Sequence, residues 1–189
     1  MTREQIVIDA SVALALVLDE PDSATIRSAI ADWLARDEQL LAPDHFWLEV
    51  INPLARRHGY DSQRLIEVVS YLETLPIRTI QTVRPQIVLT MGLMDRFGLT
   101  AYDAVYVALA QTLSARLATS DEVMLRAAGD LGLDPRLGPD GATSHRLAET
   151  KAPYGRGPGR DEERPVTWPS WPGAGAYLGT LRRQALAER

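Results

Sequence analysis

Four acidic residues stand at the end of an apolar strand-like run or inside an otherwise apolar helix-like run: Asp9, Glu49, Asp103 and Asp121. A buried carboxylate without a partner costs several kcal/mol. Carboxylates that converge also raise one another's pKa values unless a hard cation holds them. Oxygen ligands favour Mg²⁺ or Mn²⁺ over zinc. The set therefore predicts a site for one or two such cations, whose chemistry suits hydrolysis of a phosphodiester bond.

Each of these residues also has a simpler interpretation. Asp9 and Asp121 precede predicted helices and could serve as N-caps. Asp103 lies in the first turn of its helix, where a carboxylate complements the helix dipole. Glu49 could pair with an arginine farther along its own helix. These alternatives stay open for each residue alone, and the set of four favours the metal site.

The elements that must position these residues alternate between strand and helix patterns over residues 1–137. This alternation predicts an α/β fold with a parallel sheet covered by helices on both faces. Strands are predicted at 5–9, 40–42, 77–80 and 116–119. Helices are predicted at 11–18, 23–36, 44–58 (capped by Asp44), 61–75, 84–97 and 101–115, with another from Asp121. In such sheets, binding sites lie just beyond the carboxyl ends of the strands.

Composition excludes several classes of protein. The chain has 189 residues and no cysteine, which excludes a disulfide scaffold, a thiolate zinc site and a cysteine nucleophile. No apolar run is long enough to span a membrane, and the first residues do not follow the pattern of a secretory signal. We therefore expect a cytoplasmic protein that does not engage a membrane.

Residues 138–189 differ in composition from the preceding part of the chain. They hold eight of the 13 glycines and six of the 12 prolines, which predicts an extension rather than a second core. Trp168 and Trp171 lie in a proline-rich stretch, and residues 177–188 could form a short helix. A docking segment and a disordered tail are both compatible with this pattern.

Motifs for other chemistries are absent. The chain contains neither GxxxxGK[ST] nor GxGxxG, so nucleotide phosphate binding is unsupported, and it contains no GxSxG elbow. A haloacid-type phosphatase would need an aspartate at position 11, which is Ser11. The histidines His45, His58 and His145 do not follow a metal-binding spacing.

Four segments, taken in order, resemble the PIN-domain nucleases, and within them the toxins of VapBC toxin–antitoxin modules. They are IVIDAS (residues 6–11), APDHFWLEVINPLARR (42–57), LTAYDAVYVALA (99–110) and LATSDEVML (117–125). The resemblance covers roughly residues 5–135 and implies a PIN-like three-layer α/β sandwich with a short central parallel sheet. Family toxins commonly end soon after the last strand, whereas residues 138–189 extend farther.

The resemblance also assigns roles to individual residues. It implies that Asp9, Glu49, Asp103 and Asp121 are the catalytic, metal-binding set for Mg²⁺ or Mn²⁺. It matches Ser11, Asn52 and Thr119 to positions beside that set, where they would support the ligands. The implied activity is that of a metal-dependent endoribonuclease, with RNA as substrate, a cognate antitoxin as partner and a homodimer as the assembly.

The charge balance restricts where RNA could bind. Residues 1–137 hold twelve basic and nineteen acidic residues, so an RNA surface must be local. The candidate arginines are Arg56, Arg57, Arg78, Arg84 and Arg96. Two other functions remain open: a nuclease of RNA processing or DNA outside a toxin system, and a PIN-like binding module without catalysis.

Overall fold

The computed structural model describes residues 3–18 and 20–141. The stretch with Trp168 and Trp171, for which docking and disorder are both open, and the short helix expected at 177–188 lie outside the described residues, and the division of the chain near residue 137 stays a prediction. The strands are β1 (Gln5–Ile8), β2 (Gln39–Pro43), β3 (Ile77–Ile80), β4 (Arg116–Ala118) and β5 (Gly132–Leu133). The helices are α1 (Ala10–Val17), α2 (Ser23–Ala35), α3 (Phe46–Arg56), α4 (Ser62–Leu72), α5 (Arg84–Phe97), α6 (Ala101–Leu113) and α7 (Glu122–Ala128).

The strands form one sheet in the order β3-β2-β1-β4-β5, and every pairing is parallel. The chain moves outward from β1 through β2 to β3, then returns across the sheet to β4 and continues to β5. The direction of winding therefore reverses between β1 and β4. In open α/β sheets this reversal opens a crevice at the carboxyl ends of the two strands, where ligands bind.

Buried strands and helix faces form the core around this crevice. Ile6, Val7 and Ile8 of β1 are almost completely buried, as expected for a central strand covered on both faces. Helix α6 packs against β1, β2 and β4. It leads into the start of β4, so its first turn lies near the carboxyl edge of the sheet, where α3 also begins after β2.

The predicted strands and helices are present, with bounds that agree to within about one turn of helix. The predicted cap at Asp44 is wrong: α3 begins at Phe46, after His45. The Asp44 carboxylate instead accepts a hydrogen bond from Thr82 Oγ1 at 3.1 Å, and its amide donates to the carbonyl of Ile80. Asp44 therefore links the loop after β2 to the loop after β3. Strand β5 was not predicted, because two residues are too few to show a period.

The described chain continues past β5 along α2. Trp33, which is fully buried, donates from Nε1 to the carbonyl of Pro139 at 2.9 Å. Arg36 pairs with Asp140 at 2.7 Å. These contacts fix the path of residues 138–141 on the α/β core. Among the described residues, no helix is long and apolar enough to cross a membrane.

Candidate active site

Asp9 lies at the point where the winding of the sheet reverses. It follows β1 directly and precedes α1, and its amide donates to the carbonyl of Ala118 at the end of β4. Its exposed fraction is 9%. Its Oδ2 accepts hydrogen bonds from Ser11 Oγ at 2.7 Å and from Thr119 Oγ1 at 2.9 Å. Its side chain does not cap α1, so the capping interpretation of Asp9 does not describe its contacts.

The surroundings of Asp9 favour its neutral form. Burial raises the pKa of Asp9 above its ordinary value, the hydrogen bonds from Ser11 and Thr119 oppose that rise, and the negative charge of Glu49 adds to it. A carboxylate placed in this way gains from a nearby positive charge.

Glu49 lies in the first turn of α3 and is partly buried. Tyr106 of α6 donates its hydroxyl to Glu49 Oε2 at 2.6 Å. His45 Nε2 lies 3.3 Å from the same oxygen, but it is buried and not directed for a hydrogen bond. These partners, rather than an arginine of α3, are the neighbours of the Glu49 carboxylate.

Asp103 lies in the first turn of α6 and is partly exposed. The hydroxyl of Thr100 caps this helix by accepting from the Asp103 amide at 3.2 Å. The same hydroxyl donates to Asp103 Oδ2 at 2.7 Å. The Thr100 hydroxyl therefore caps α6 and also orients the Asp103 carboxylate at the N-terminus of this helix.

Asp121 caps α7. Its Oδ1 accepts hydrogen bonds from the amides of Val123 and Met124 at 2.7 and 2.8 Å. Its own amide donates to Thr119 Oγ1 at 3.1 Å, the hydroxyl that contacts Asp9. The capping interpretation is therefore confirmed for Asp121, and the Thr119 hydroxyl links the main chain of this exposed residue to Asp9.

One buried phenol, Tyr106, is affected by the negative charges of three of the four carboxylates. Burial raises the pKa of Tyr106, the hydrogen bond to Glu49 raises it further, and the negative charges of Glu49, Asp9 and Asp103 add to the effect. Tyr106 is therefore a neutral hydrogen-bond donor. Among residues 3–18 and 20–141, no three acidic or histidine side chains come together as a ready-made metal-binding group.

The residues predicted to support the ligands differ in their contacts. Ser11 and Thr119 both hydrogen-bond to Asp9, and Ser11 Oγ also accepts from the Ser120 amide at 3.4 Å. Asn52 is exposed, and its Oδ1 accepts from Arg56 Nε at 2.9 Å. The supporting role of Asn52 stays a prediction.

A groove of about 510 Å³ adjoins Glu49. Apolar side chains of α3 and α4 line it, and His45, Asn52 and Tyr102 contribute polar groups. The five candidate arginines are all exposed, and their contact with RNA stays a prediction.

Sequence reasoning missed Tyr106 and His45. Tyr106 follows Asp103 by three residues, which places both on one side of α6. That spacing was available in the sequence, but a tyrosine in an apolar helix has an ordinary core interpretation. His45 precedes Glu49 by four residues, which is also one turn of helix, and it was set aside because its spacing to other histidines is unsuitable.

The chemistry of these residues fits a divalent cation. The donors are carboxylate oxygens, as Mg²⁺ and Mn²⁺ prefer. Asp9 is buried, and the charge of Glu49 raises its pKa further, a combination that a cation would relieve. The buried His45 Nε2 lacks a hydrogen-bond partner among the described residues. The site thus combines excess negative charge with an unsatisfied polar atom.

Comparisons with known proteins agree with this architecture. VapC20 of Mycobacterium tuberculosis, described as a toxin that cleaves the sarcin–ricin loop, is similar with 17% identity and a TM-score of 0.53, over 66% of this chain and 95% of that chain. A toxin–antitoxin complex from Klebsiella pneumoniae is similar with 18% identity and a TM-score of 0.50, over 69% and 97% of the two chains. FitAcB from Neisseria gonorrhoeae shows 17% identity and a TM-score of 0.51, over 69% and 97%. These likenesses show the fold.

No curated protein matches the sequence. The family model of the PIN domain matches residues 6–130, which is more than half of the chain. The match includes all four acidic residues of the candidate site. The chain therefore belongs to the PIN-domain family, as its sequence motifs predicted.

Proposed function

We propose that this protein is a metal-dependent endoribonuclease that acts as the toxin of a type II toxin–antitoxin module. The observation that carries the proposal is the position of Asp9. It is buried at the point where the winding of the sheet reverses, is oriented by two hydroxyl donors, and is subject to the negative charge of Glu49. A carboxyl group whose pKa is raised by burial and by a neighbouring negative charge is typical of functional sites.

The residues at this edge of the sheet have different roles in the proposed site. Asp9, Asp103 and Asp121 hold an Mg²⁺ or Mn²⁺ ion, and Glu49 completes the site or holds a second ion. Ser11 and Thr119 fix the orientation of Asp9 through their hydroxyl groups. When bound, the cation supplies activation of water and stabilisation of negative charge at the phosphate. Asp121 uses Oδ1 for the helix cap, so Oδ2 is the oxygen it offers.

RNA is the substrate that the fold and the surface favour. VapC20, which shares the fold, is described as a toxin that cleaves the sarcin–ricin loop. The groove beside Glu49 provides apolar and aromatic surface on which a base of single-stranded RNA could stack. Arg56 and Arg57 lie exposed at the end of α3, the helix that carries Glu49, and supply local positive charge on an acidic domain.

An antitoxin is the proposed partner. One of the similar structures is described as a toxin–antitoxin complex, which supports a binding partner for this chain. The groove beside Glu49 adjoins the candidate active site, so a protein bound there would also exclude RNA.

A homodimer is the proposed assembly, and α5 is its proposed interface. Five large apolar side chains at and after the start of this helix are exposed: Val83, Ile87, Val88, Leu89 and Met91. Val83, Ile87 and Met91 follow one another at intervals of four residues and so share one side of the helix, and exposed apolar side chains grouped in this way favour protein contact. Light scattering of the full chain and of a Val88→Glu variant tests the assembly, because a buried charge at this position would dissociate the dimer.

A binding module without catalysis is the second candidate. This candidate is favoured because, within the described part of the chain, no three acidic or histidine side chains are grouped so that they could hold a metal ion. A nuclease must show cation-dependent cleavage, whereas a binding module needs none.

The test is RNA cleavage by the full chain with Mn²⁺ or Mg²⁺, with EDTA, and in an Asp9→Asn variant. We expect cleavage with either cation, loss with EDTA, and loss in the variant. Asp32→Asn is the matched control, because it removes one carboxylate charge from an exposed position of α2. Full activity of Asp9→Asn would contradict the site, and inactivity of the wild type on RNA with both cations would favour the binding module.

A further inference from the structure

The Glu49 carboxylate is held through one of its two oxygens. The Tyr106 hydroxyl donates to Oε2 at 2.6 Å, and His45 Nε2 lies 3.3 Å from the same atom. Within the described part of the chain, Oε1 accepts no hydrogen bond. The carboxylate therefore has one constrained oxygen and one that remains available.

A phenylalanine at position 106 would pack in the core as the tyrosine ring does, so packing does not account for the Tyr106 hydroxyl. The side chain is completely buried on α6, where the following residues Val107 and Ala108 are apolar and buried. A hydroxyl in such surroundings costs free energy unless it has a partner. The partner here is Glu49, on a different helix.

A neutral donor suits this position better than a cationic one. An arginine would also fix the carboxylate, but it would cancel its charge and repel a metal ion. A phenol directs the carboxylate through a hydrogen bond and leaves its full charge in place. The ring of Tyr106 also packs edge-on against His45, with the ring centroids 5.2 Å apart, so its own position is constrained.

We propose that Tyr106 is a positioning residue for Glu49: it holds Oε2 so that Oε1 is the oxygen offered to a divalent cation. This inference rests on the proposed function, because it needs the cation that Asp9 and Asp103 help to hold. Tyr106 acts through Glu49 and does not itself bind the metal or the RNA. Partners of this type that orient metal ligands contribute about 10- to 100-fold to metal affinity.

The test is calorimetric titration of the full, metal-free chain with Mn²⁺. Tyr106→Phe removes only the hydroxyl, and we expect affinity about tenfold weaker than that of the wild type. We also expect the KM for Mn²⁺ in RNA cleavage to rise, with kcat at saturating Mn²⁺ little changed. A purely structural role would lower thermal stability without this change in affinity.

A double-mutant cycle assigns the effect to Glu49. In a Glu49→Gln background, Tyr106→Phe should weaken Mn²⁺ binding no further, because the carboxylate it positions is gone. Glu49→Asp provides a second test: it keeps the charge but draws the carboxylate away from the hydroxyl, so we expect a similar loss of affinity. Thr90→Val is the matched control, since it removes a buried hydroxyl that donates to the carbonyl of Gln86.

The outcomes separate the two proposals. If the wild type binds no Mn²⁺, the proposed function fails. If the wild type binds Mn²⁺ and Tyr106→Phe binds it equally well, the positioning role of Tyr106 fails alone. Equal losses for Tyr106→Phe in the wild-type and Glu49→Gln backgrounds would likewise overturn it, because the effect would not pass through Glu49.

Discussion

The hydroxyl of Thr119 donates to Asp9 Oδ2 at 2.9 Å and accepts from the amide of Asp121 at 3.1 Å. Asp9 and Thr119 are far apart in the sequence, but they follow β1 and β4, which are neighbours in the sheet. One small side chain thus connects a buried carboxylate to the loop that begins α7. The relationship depends on the reversal of winding between these strands.

This relationship predicts a pH effect of Thr119→Val. The Thr119 hydrogen bond lowers the pKa of Asp9, so its loss should raise that pKa further above the ordinary value. As the pH is lowered, Asp9 would then become protonated at a higher pH than in the wild type. Mn²⁺ binding should therefore also be lost at a higher pH than in the wild type. Calorimetric titrations across the range from pH 5 to pH 8 measure the shift. An unchanged profile, with Thr90→Val as control, would contradict the role of Thr119.

The stability of the metal-free protein should depend on pH through Asp9. Because the folded pKa of Asp9 is raised, the folded state binds its proton more tightly than the unfolded state. The contribution of Asp9 to the free energy of unfolding is fully present below the pKa that Asp9 has in the unfolded state. It is lost as the pH rises through the pKa that Asp9 has in the folded state. We therefore expect Asp9→Asn to be more stable than the wild type at pH 7 in EDTA, with a smaller difference at acidic pH.

Denaturant unfolding at several pH values checks this expectation, and Asp32→Asn again controls for the change in net charge. A wild type whose stability exceeds that of Asp9→Asn at pH 7 without metal would show that the carboxylate is satisfied by Ser11 and Thr119 alone. In that case Asp9 would need no cation to compensate its buried charge.

Cation binding should reverse this destabilisation. A ligand that binds only the folded state stabilises it by about 2.7 kcal/mol at one hundred times its dissociation constant. We expect Mn²⁺ or Mg²⁺ to raise the melting temperature of the wild type and to leave an Asp9→Asn, Asp103→Asn double variant unchanged. A rise that persists in the double variant would place the cation elsewhere on the protein.

The sequence predicted the sheet and the edge that carries the candidate site, because buried strands and amphipathic helices leave strong periodic patterns. It made Asp9 a candidate for the same reason: a charge at the end of an apolar run is conspicuous. Tyr106 and His45 could not be found in this way, since their importance depends on how α3 and α6 pack together. The predicted cap at Asp44 is wrong because a contact with Thr82, in the loop after β3, competes with helix capping.

Capping and metal binding can be separated at Asp121. Asparagine is as good an N-cap as aspartate, whereas alanine costs about 1 kcal/mol. Because Asp121 Oδ1 accepts from two amides of α7, Asp121→Asn should retain the thermal stability of the metal-free protein and Asp121→Ala should lower it. If Asp121 also binds the cation, both variants should weaken Mn²⁺ affinity, since both remove the charge. Unaltered Mn²⁺ affinity in Asp121→Asn would reduce Asp121 to a helix cap and leave Asp9, Glu49 and Asp103 as the acidic set.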